Sequence, residues 1–325
     1  MTNSRAEAAL LRGWYSGERW VWLLRPLEFV YRCTTALRRW GYRAGLYPVY
    51  RAPAPVVIVG NITVGGTGKT PIVIALVEAL QARGLRPGVV SRGYGATGGT
   101  FPHRVTAHSQ AIDCGDEPLL IFHRTGAPCM VDPNRPAAVR ALLADEKVDI
   151  VLCDDGLQHY ALARDFEIVV LDAQRGVGNG FCLPAGPLRE PVARLAGVNA
   201  VLWRGGDSSH NSVAYVVDGL VPLRPDALCE APATETEVQA VAGIGQPEQF
   251  FTTLAGLGYR VTPHSFPDHY RYTQADFDAL SDGPLIMTEK DAVKCASFAR
   301  KNDWYLKISA RLPDALVDRI AALVI

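Results

Sequence analysis

Apolar positions along this chain fall into short, often β-branched runs, each closed by a polar or glycine-bearing turn and followed by a stretch with helical spacing. Residues 55–59 read as a buried strand, then a glycine-rich turn, then a helix over 72–83 with Pro71 at its first turn. The same reading predicts strands at 86–91, 129–131, 148–153, 166–171 and 198–203, with helices at 116–123 and 136–145 between them. Such alternation argues an α/β chain built on a parallel sheet with helices on both faces. Past residue 205 the pattern changes: a loop over 205–211, extended residues at 212–223, then prolines and acids. A fresh strand at 238–245, a helix at 248–257, a strand at 281–288 and an amphipathic helix at 312–325 follow. The expected organisation is an N-terminal amphipathic segment (1–50), a core (51–210), an extended linker (211–235), a second and smaller α/β lobe (236–310) and a C-terminal helix (311–325) that can pack on the core.

The most specific signal lies in the turn after the first strand, Gly60-Asn61-Ile62-Thr63-Val64-Gly65-Gly66-Thr67-Gly68-Lys69-Thr70-Pro71. A phosphate-binding loop needs this order. Glycines let backbone N–H groups wrap the β- and γ-phosphates, the helix N-terminus adds a positive dipole end, and Lys69 brings a mobile charge. The Thr70 hydroxyl is placed to ligate Mg²⁺. The usual spacing would put a glycine where Thr63 stands, and Gly65 and Gly66 supply the flexibility instead. The core is therefore P-loop NTPase-like. Asn61, Thr63, Val64, Gly65, Gly66, Thr67, Gly68, Lys69, Thr70 and Pro71 are its expected nucleotide contacts.

Two acid pairs stand at strand or helix ends, where open α/β sheets bind their ligands. Asp154 and Asp155 follow the strand at 148–153, the place of a Mg²⁺-holding acid; a plain turn before Gly156 is the alternative. Asp116 and Glu117 open a helix, and their spacing suits an N-terminal cap or a general base equally. His269, in Phe266-Pro-Asp-His-Tyr270, sits in a loop of the second lobe. Arg92, Arg135, Arg189 and Glu190 are further loop-end charges; arginines at such positions suit either phosphate clamping or the surface.

With 325 residues, 48% of them hydrophobic, the chain can bury a large core, and its zero formal net charge gives no sign of nucleic-acid binding. Seven cysteines without a CxxC pair point to a reducing compartment with no structural zinc. Charge is uneven, however. Residues 1–51 hold nine arginines against three glutamates, and four of the six tryptophans (Trp14, Trp20, Trp22, Trp40). Arg25, Glu28 and Arg32 interrupt the apolar run too often for a membrane span or a signal peptide. A helix lying in a membrane interface, or one packed on the domain through its tryptophans, fits the pattern.

Taken together these blocks resemble the tetraacyldisaccharide 4′-kinase family, the lipid A kinases of Gram-negative bacteria. The resemblance rests on Gly60-Asn61 with the loop to Pro71, Ser91-Arg-Gly-Tyr-Gly95, Gly115-Asp-Glu-Pro118 and Asp132-Pro-Asn-Arg135. Asp154-Asp-Gly-Leu-Gln-His159, Leu183-Pro-Ala-Gly-Pro-Leu-Arg-Glu190 and Phe266-Pro-Asp-His269 complete it, in the family's order and over nearly the whole chain. It implies transfer of the γ-phosphate of ATP, with Mg²⁺, to the 4′-hydroxyl of a tetraacyldisaccharide 1-phosphate, giving lipid IVA. It also implies an N-terminal membrane-docking helix, a place on the cytoplasmic face of the bacterial inner membrane, and partners limited to the lipid substrate and the membrane surface, with no obligate protein partner.

Carried over, the resemblance gives Lys69 and Thr70 to phosphates and metal, Asp154 and Asp155 to metal, Asp116 to the base and His269 to its partner. Glu190 corresponds to an acid near nucleotide and metal. Leu157 stands where the family often has phenylalanine. A membrane-associated regulatory ATPase that passes phosphate only to water is the other class open. ATPases of that kind with a similar loop carry a signature lysine at the slot that Val64 occupies here, which favours the kinase.

Overall fold

A computed structural model describes residues 2–206, 211–224 and 230–324. Residues 207–210 of the expected loop and 225–229 of the expected linker lie outside the described residues. The chain begins with α1 (Thr2–Tyr15), a 3₁₀ turn (Arg19–Leu24) and α2 (Arg25–Arg43). Pro26 at the start of α2 pre-sets the helical φ where no N–H is needed. One side of α2 is pinned to the body. The Glu28 carboxylate is buried, accepts from the Cys182 N–H at 3.0 Å and pairs with Arg25 at 3.0 Å. Tyr31 donates its hydroxyl to the Arg189 carbonyl at 2.9 Å. The other side leaves Phe29 68% and Leu37 66% exposed, and Leu23 in the turn before it is 82% exposed.

The first half follows as β1 (Val56–Gly60), α3 (Lys69–Gln81), β2 (Pro87–Ser91), β3 (His103–Arg104), α4 (Ala111–Cys114), α5 (Asp116–Thr125), β4 (Cys129–Val131), α6 (Arg135–Asp145), β5 (Ile150–Asp154), β6 (Phe166–Asp172) and β7 (Ala200–Arg204). Strands alternate their side chains between faces, and both faces are dry. Val57 and Val59 enter the core shared with α3, while Val56 and Ile58 enter the core on the opposite face. From β1 the chain steps outward to β2 and β4, returns with β5 against β1, then crosses to β6 on β1's other side. The order therefore reverses at β1, and a crevice opens at its carboxyl end.

The second half comprises β8 (Ser212–Pro222), β9 (Glu237–Ala242), α7 (Pro247–Gly256), β10 (Arg260–Ser265), α8 (Gln274–Asp278), β11 (Leu285–Thr288), α9 (Glu289–Cys295), β12 (Asp303–Arg311) and α10 (Asp314–Ala321). Within the stretch 211–235, residues 212–222 are thus a long strand that belongs to both sheets. Ser212 and Val213 pair in parallel with the end of β7. Ala214 onward runs past that end and pairs antiparallel with β12. Because β11, β9 and β10 run parallel to β12, their carboxyl ends point back at the carboxyl ends of the first half. A second order reversal, at β9, leaves its carboxyl end open as well. The closing helix α10 returns to α3, where Leu316, Val317 and Ile320 join the same core as Leu76 and Leu80.

Charges lock the halves. The Arg124 guanidinium at the end of α5 pairs with Glu289 at the start of α9 at 2.7 Å and donates to the Ile308 carbonyl at 3.2 Å. Both side chains of the pair are only 9% exposed. Removing one partner strands a buried charge, so Arg124→Met is expected to cost about 3 kcal/mol of stability, read from urea unfolding midpoints. A midpoint equal to the parent's would mean that the lock contributes nothing.

Candidate active site

The glycine-rich turn leaves β1 and enters α3 at Lys69, so Pro71 sits within the first turn, where its missing N–H costs nothing. Gly65 and Gly68 hold φ of 96° and 74°, a region that side-chain-bearing residues rarely adopt. Asn61 is wholly buried under the loop and donates to Thr67 Oγ1 at 3.2 Å and the Gly65 carbonyl at 3.4 Å. Thr63 bridges to Leu188, and the Val64 N–H donates to the Pro187 carbonyl at 2.9 Å. The second half covers the loop from above: Gln246 donates to the Gly66 carbonyl at 3.2 Å, and the Tyr215 hydroxyl to that of Gly68. Gly245 approaches so closely that a Cβ there would meet the Gly66 nitrogen at 3.1 Å.

This loop floors a cavity of about 980 Å³ between the halves, walled by Lys69, Thr70, Asp155 and Arg189 on one side and by Gln246, His269 and Lys290 on the other. Lys69 Nζ lies 3.3 Å from Asp155 Oδ1, and Arg189 3.2 Å from Oδ2. Burial pushes the Asp155 carboxyl up, but Lys69 and Arg189 outweigh it and hold it down at about 2. Asp154 is different. Both its carboxylate oxygens are buried without a hydrogen-bond partner, and burial, then Glu117, push its pKa up against the pull of Lys69.

Among the described residues no three His, Cys, Asp or Glu side chains gather into a protein-only metal cage. Mg²⁺ in a nucleotide site needs no such cage: one or two carboxylates suffice, with phosphate and water oxygens completing the octahedron. The orphaned oxygens of Asp154, beside an ionised Asp155, fit that donor set.

Above the loop, Asp116 and His269 meet. The N-cap of α5 is Gly115, so Asp116 lies inside the first turn, only 4% exposed, with Oδ1 accepting the Glu117 N–H at 3.0 Å. His269 Nδ1 is 2.9 and 3.0 Å from the two Asp116 oxygens. Burial alone would raise the Asp116 pKa; the His269 hydrogen bond and the Lys290 and Lys294 charges overcome it, and the carboxyl is held below its ordinary value. His269 stands at φ 59°, a conformation uncommon outside glycine, and its ring packs on Tyr94 at 4.7 Å between centroids.

The remaining expected residues divide. Glu190 lies away from the main cavity, in a smaller one of about 440 Å³ beneath α2. Its carboxylate accepts from Tyr160 at 2.6 Å and Gln158 at 3.0 Å and pairs with Arg194 at 3.4 Å, while Gln158 also donates to the Asn61 carbonyl. It thus touches the loop only through Gln158. Arg135 is wholly buried, donating to the carbonyls of Asp132 at 2.9 Å and Asp154 at 3.3 Å. Arg92 is exposed and lines the cavity. Sequence reasoning missed Lys290, Gln246, Tyr215 and Arg204. A signal for Lys290 existed: Thr288-Glu-Lys-Asp291 is a charged run directly after a buried strand, the same context that singled out Asp154.

Comparison with known proteins identifies the family. Residues 20–325 match the family model described as tetraacyldisaccharide-1-P 4′-kinase. The tetraacyldisaccharide 4′-kinase of Pseudomonas aeruginosa is 52% identical over 311 residues, covering 93% of this chain and 92% of its own. That of Azotobacter vinelandii is 52% identical over 321 residues, covering 95% and 94%. The crystal structure of LpxK from Aquifex aeolicus in complex with ATP shares the fold, with a TM-score of 0.76 and 24% identity over 94% of this chain and 99% of that one. The chain belongs to the tetraacyldisaccharide 4′-kinase family.

Proposed function

We infer that this chain is an ATP-dependent kinase that phosphorylates the 4′-hydroxyl of a tetraacyldisaccharide 1-phosphate, a step of lipid A biosynthesis. The observation that carries the reading is the convergence, in one cavity, of a phosphate-binding loop and a buried carboxylate–imidazole pair from opposite halves. Such a pair supplies the base that an acceptor hydroxyl needs. In the reaction the 4′-oxygen forms a bond to the γ-phosphorus as the bond to the β,γ-bridging oxygen breaks, and ADP leaves. The proton of the hydroxyl goes to Asp116, whose ionised carboxylate is oriented by His269. The loop N–H groups and Lys69 would hold the phosphates, and Thr70, Asp154 and Asp155 would hold Mg²⁺. When bound, that ion neutralises charge on the transferring group. Arg189, fixed between Asp155 and Tyr31, sits where the main cavity joins the hollow beneath α2.

Product analysis tests the reading. With γ-labelled ATP and Mg²⁺ the label is expected in lipid; label found only in free phosphate would establish the regulatory-ATPase alternative. Lys69→Ala and Asp154→Ala are each expected to lower turnover about a hundredfold or more while circular dichroism stays unchanged. Near-normal turnover in either would remove that residue from the site.

Membrane docking through α2 belongs to the same proposal. No helix of the described residues is long and apolar enough to cross a membrane. The outer side of α2 and of the 3₁₀ turn before it nevertheless exposes Trp22, Leu23, Leu27, Phe29, Leu37 and Trp40, flanked by arginines. Aromatic and aliphatic side chains seat at the headgroup boundary while arginines reach anionic phosphates, which would bring the inner-membrane lipid to the cavity. Replacing Leu23, Phe29 and Leu37 by serine leaves the Glu28 and Tyr31 anchors intact. It is expected to lower co-sedimentation with anionic vesicles at least about tenfold. Unchanged partitioning would leave α2 a packing helix.

A further inference from the structure

Lys290 occupies a position that the phosphate-transfer roles above do not use. It is the second residue of α9, with its side chain only 16% exposed. Its ammonium lies 3.1 Å from Glu117 Oε1, 3.2 Å from Asp268 Oδ1, 3.4 Å from His269 Nε2 and 3.9 Å from Asp116 Oδ2. One side chain of the second half thereby touches both acids that open α5 in the first half and both members of the Asp268-His269 turn.

The chemistry of an ammonium settles what it can do there. It carries three N–H donors and no lone pair, so toward His269 it can only donate. Nε2 must then be the acceptor, and a neutral imidazole whose Nε2 accepts carries its proton on Nδ1. That is the nitrogen facing both Asp116 oxygens. Resting on the reading of Asp116 as the base, we propose that Lys290 is a positioning residue for the transfer. It holds His269 as the neutral Nδ1–H tautomer against the Asp116 carboxylate, and it ties the two halves together around that pair.

The neighbours of His269 are few. Asp116 faces it from α5, Lys290 from α9 and Asp268 from its own turn at 3.8 Å, with the Tyr94 ring stacked on one side; Lys294 reaches the far Asp116 oxygen at 3.8 Å. Burial lowers the His269 pKa, but the Asp116 hydrogen bond outweighs it and leaves the pKa above its ordinary value; the Lys290 charge opposes that rise. Without Lys290 a second proton settles on the ring more readily. Asp116 then faces a charged donor, which holds its electrons more tightly and makes it a weaker base.

The test uses full-length protein with ¹⁵N-labelled histidine, His269 being assigned through its loss in His269→Gln. In the parent, His269 is expected to show the Nδ1–H tautomer once pH exceeds its titration midpoint. In Lys290→Met its titration midpoint is expected to move up. Turnover should fall about tenfold near neutrality and recover as pH rises through the new midpoint, with KM for ATP within about threefold of the parent's. Lys290→Arg, which keeps the charge and the donors, should restore both midpoint and turnover to near parent values.

An unchanged His269 tautomer and midpoint in Lys290→Met overturns the proposal even if turnover falls, since the loss is then merely structural. A rise in KM for ATP at constant kcat overturns it too, by making Lys290 a phosphate ligand. Should circular dichroism show Lys290→Met unfolded, Lys290→Gln carries the same comparison. Near-normal turnover in Asp116→Asn would instead sink the base assignment, while the His269 titration would still decide what Lys290 does.

Discussion

The direction in which β8 leaves the first sheet governs the site. It begins alongside the end of β7, continues beyond it, and takes β12 as an antiparallel partner. Strand pairing then forces β11, β9 and β10 to run back toward the first half. Ligand crevices in α/β sheets form at the carboxyl ends of strands, and here two such sets of ends face one another across one cavity. A strand leaving in any other direction would put Lys69 and His269 on unrelated surfaces. The distance of 2.9 Å between His269 and Asp116 is thus a consequence of sheet topology, fixed by residues far from either.

The same geometry sets the electrostatics. Two charge systems share the cavity, each with its own balance. On the floor, Asp155 is fully compensated by Lys69 and Arg189, while Asp154 is left without a donor, an imbalance that a bound cation would correct. On the roof, Asp116 is compensated by His269 and two lysines, so it stays ionised although buried. Neither carboxylate could be assigned its state from burial alone. Arg124, bonded to Glu289 at the opposite end of α5, keeps that roof in register with the floor.

Much of the first half could be read from the chain because its signals are local. A β-branched run before Gly60, glycines before Lys69 and acids after Cys153 each state strand, loop or metal context within a dozen residues. The second half was read less fully. Residues 303–311 bury Trp304, Leu306 and Ala310 on one face, with Lys307 and Ser309 half-buried between them, yet β12 is not among the expected strands. Its pairing with β8 is non-local and no spacing encodes it. Asp116 illustrates the same limit. A cap and a base look alike in sequence, and the partner that favours a base, His269, arrives from residues far downstream. Glu190 shows the converse: the family resemblance put it near the nucleotide, whereas Tyr160, Gln158 and Arg194 engage it beneath α2.

The central claim is that Asp116 and His269 act as one unit assembled across the halves. A double-mutant cycle on turnover, using Asp116→Asn, His269→Gln and the double variant, addresses it most directly. Each single variant is expected to lose about a hundredfold in kcat with little change in ATP affinity. The double variant should fall within about threefold of the worse single one. Losses that multiply would show two residues working independently, and would contradict the account.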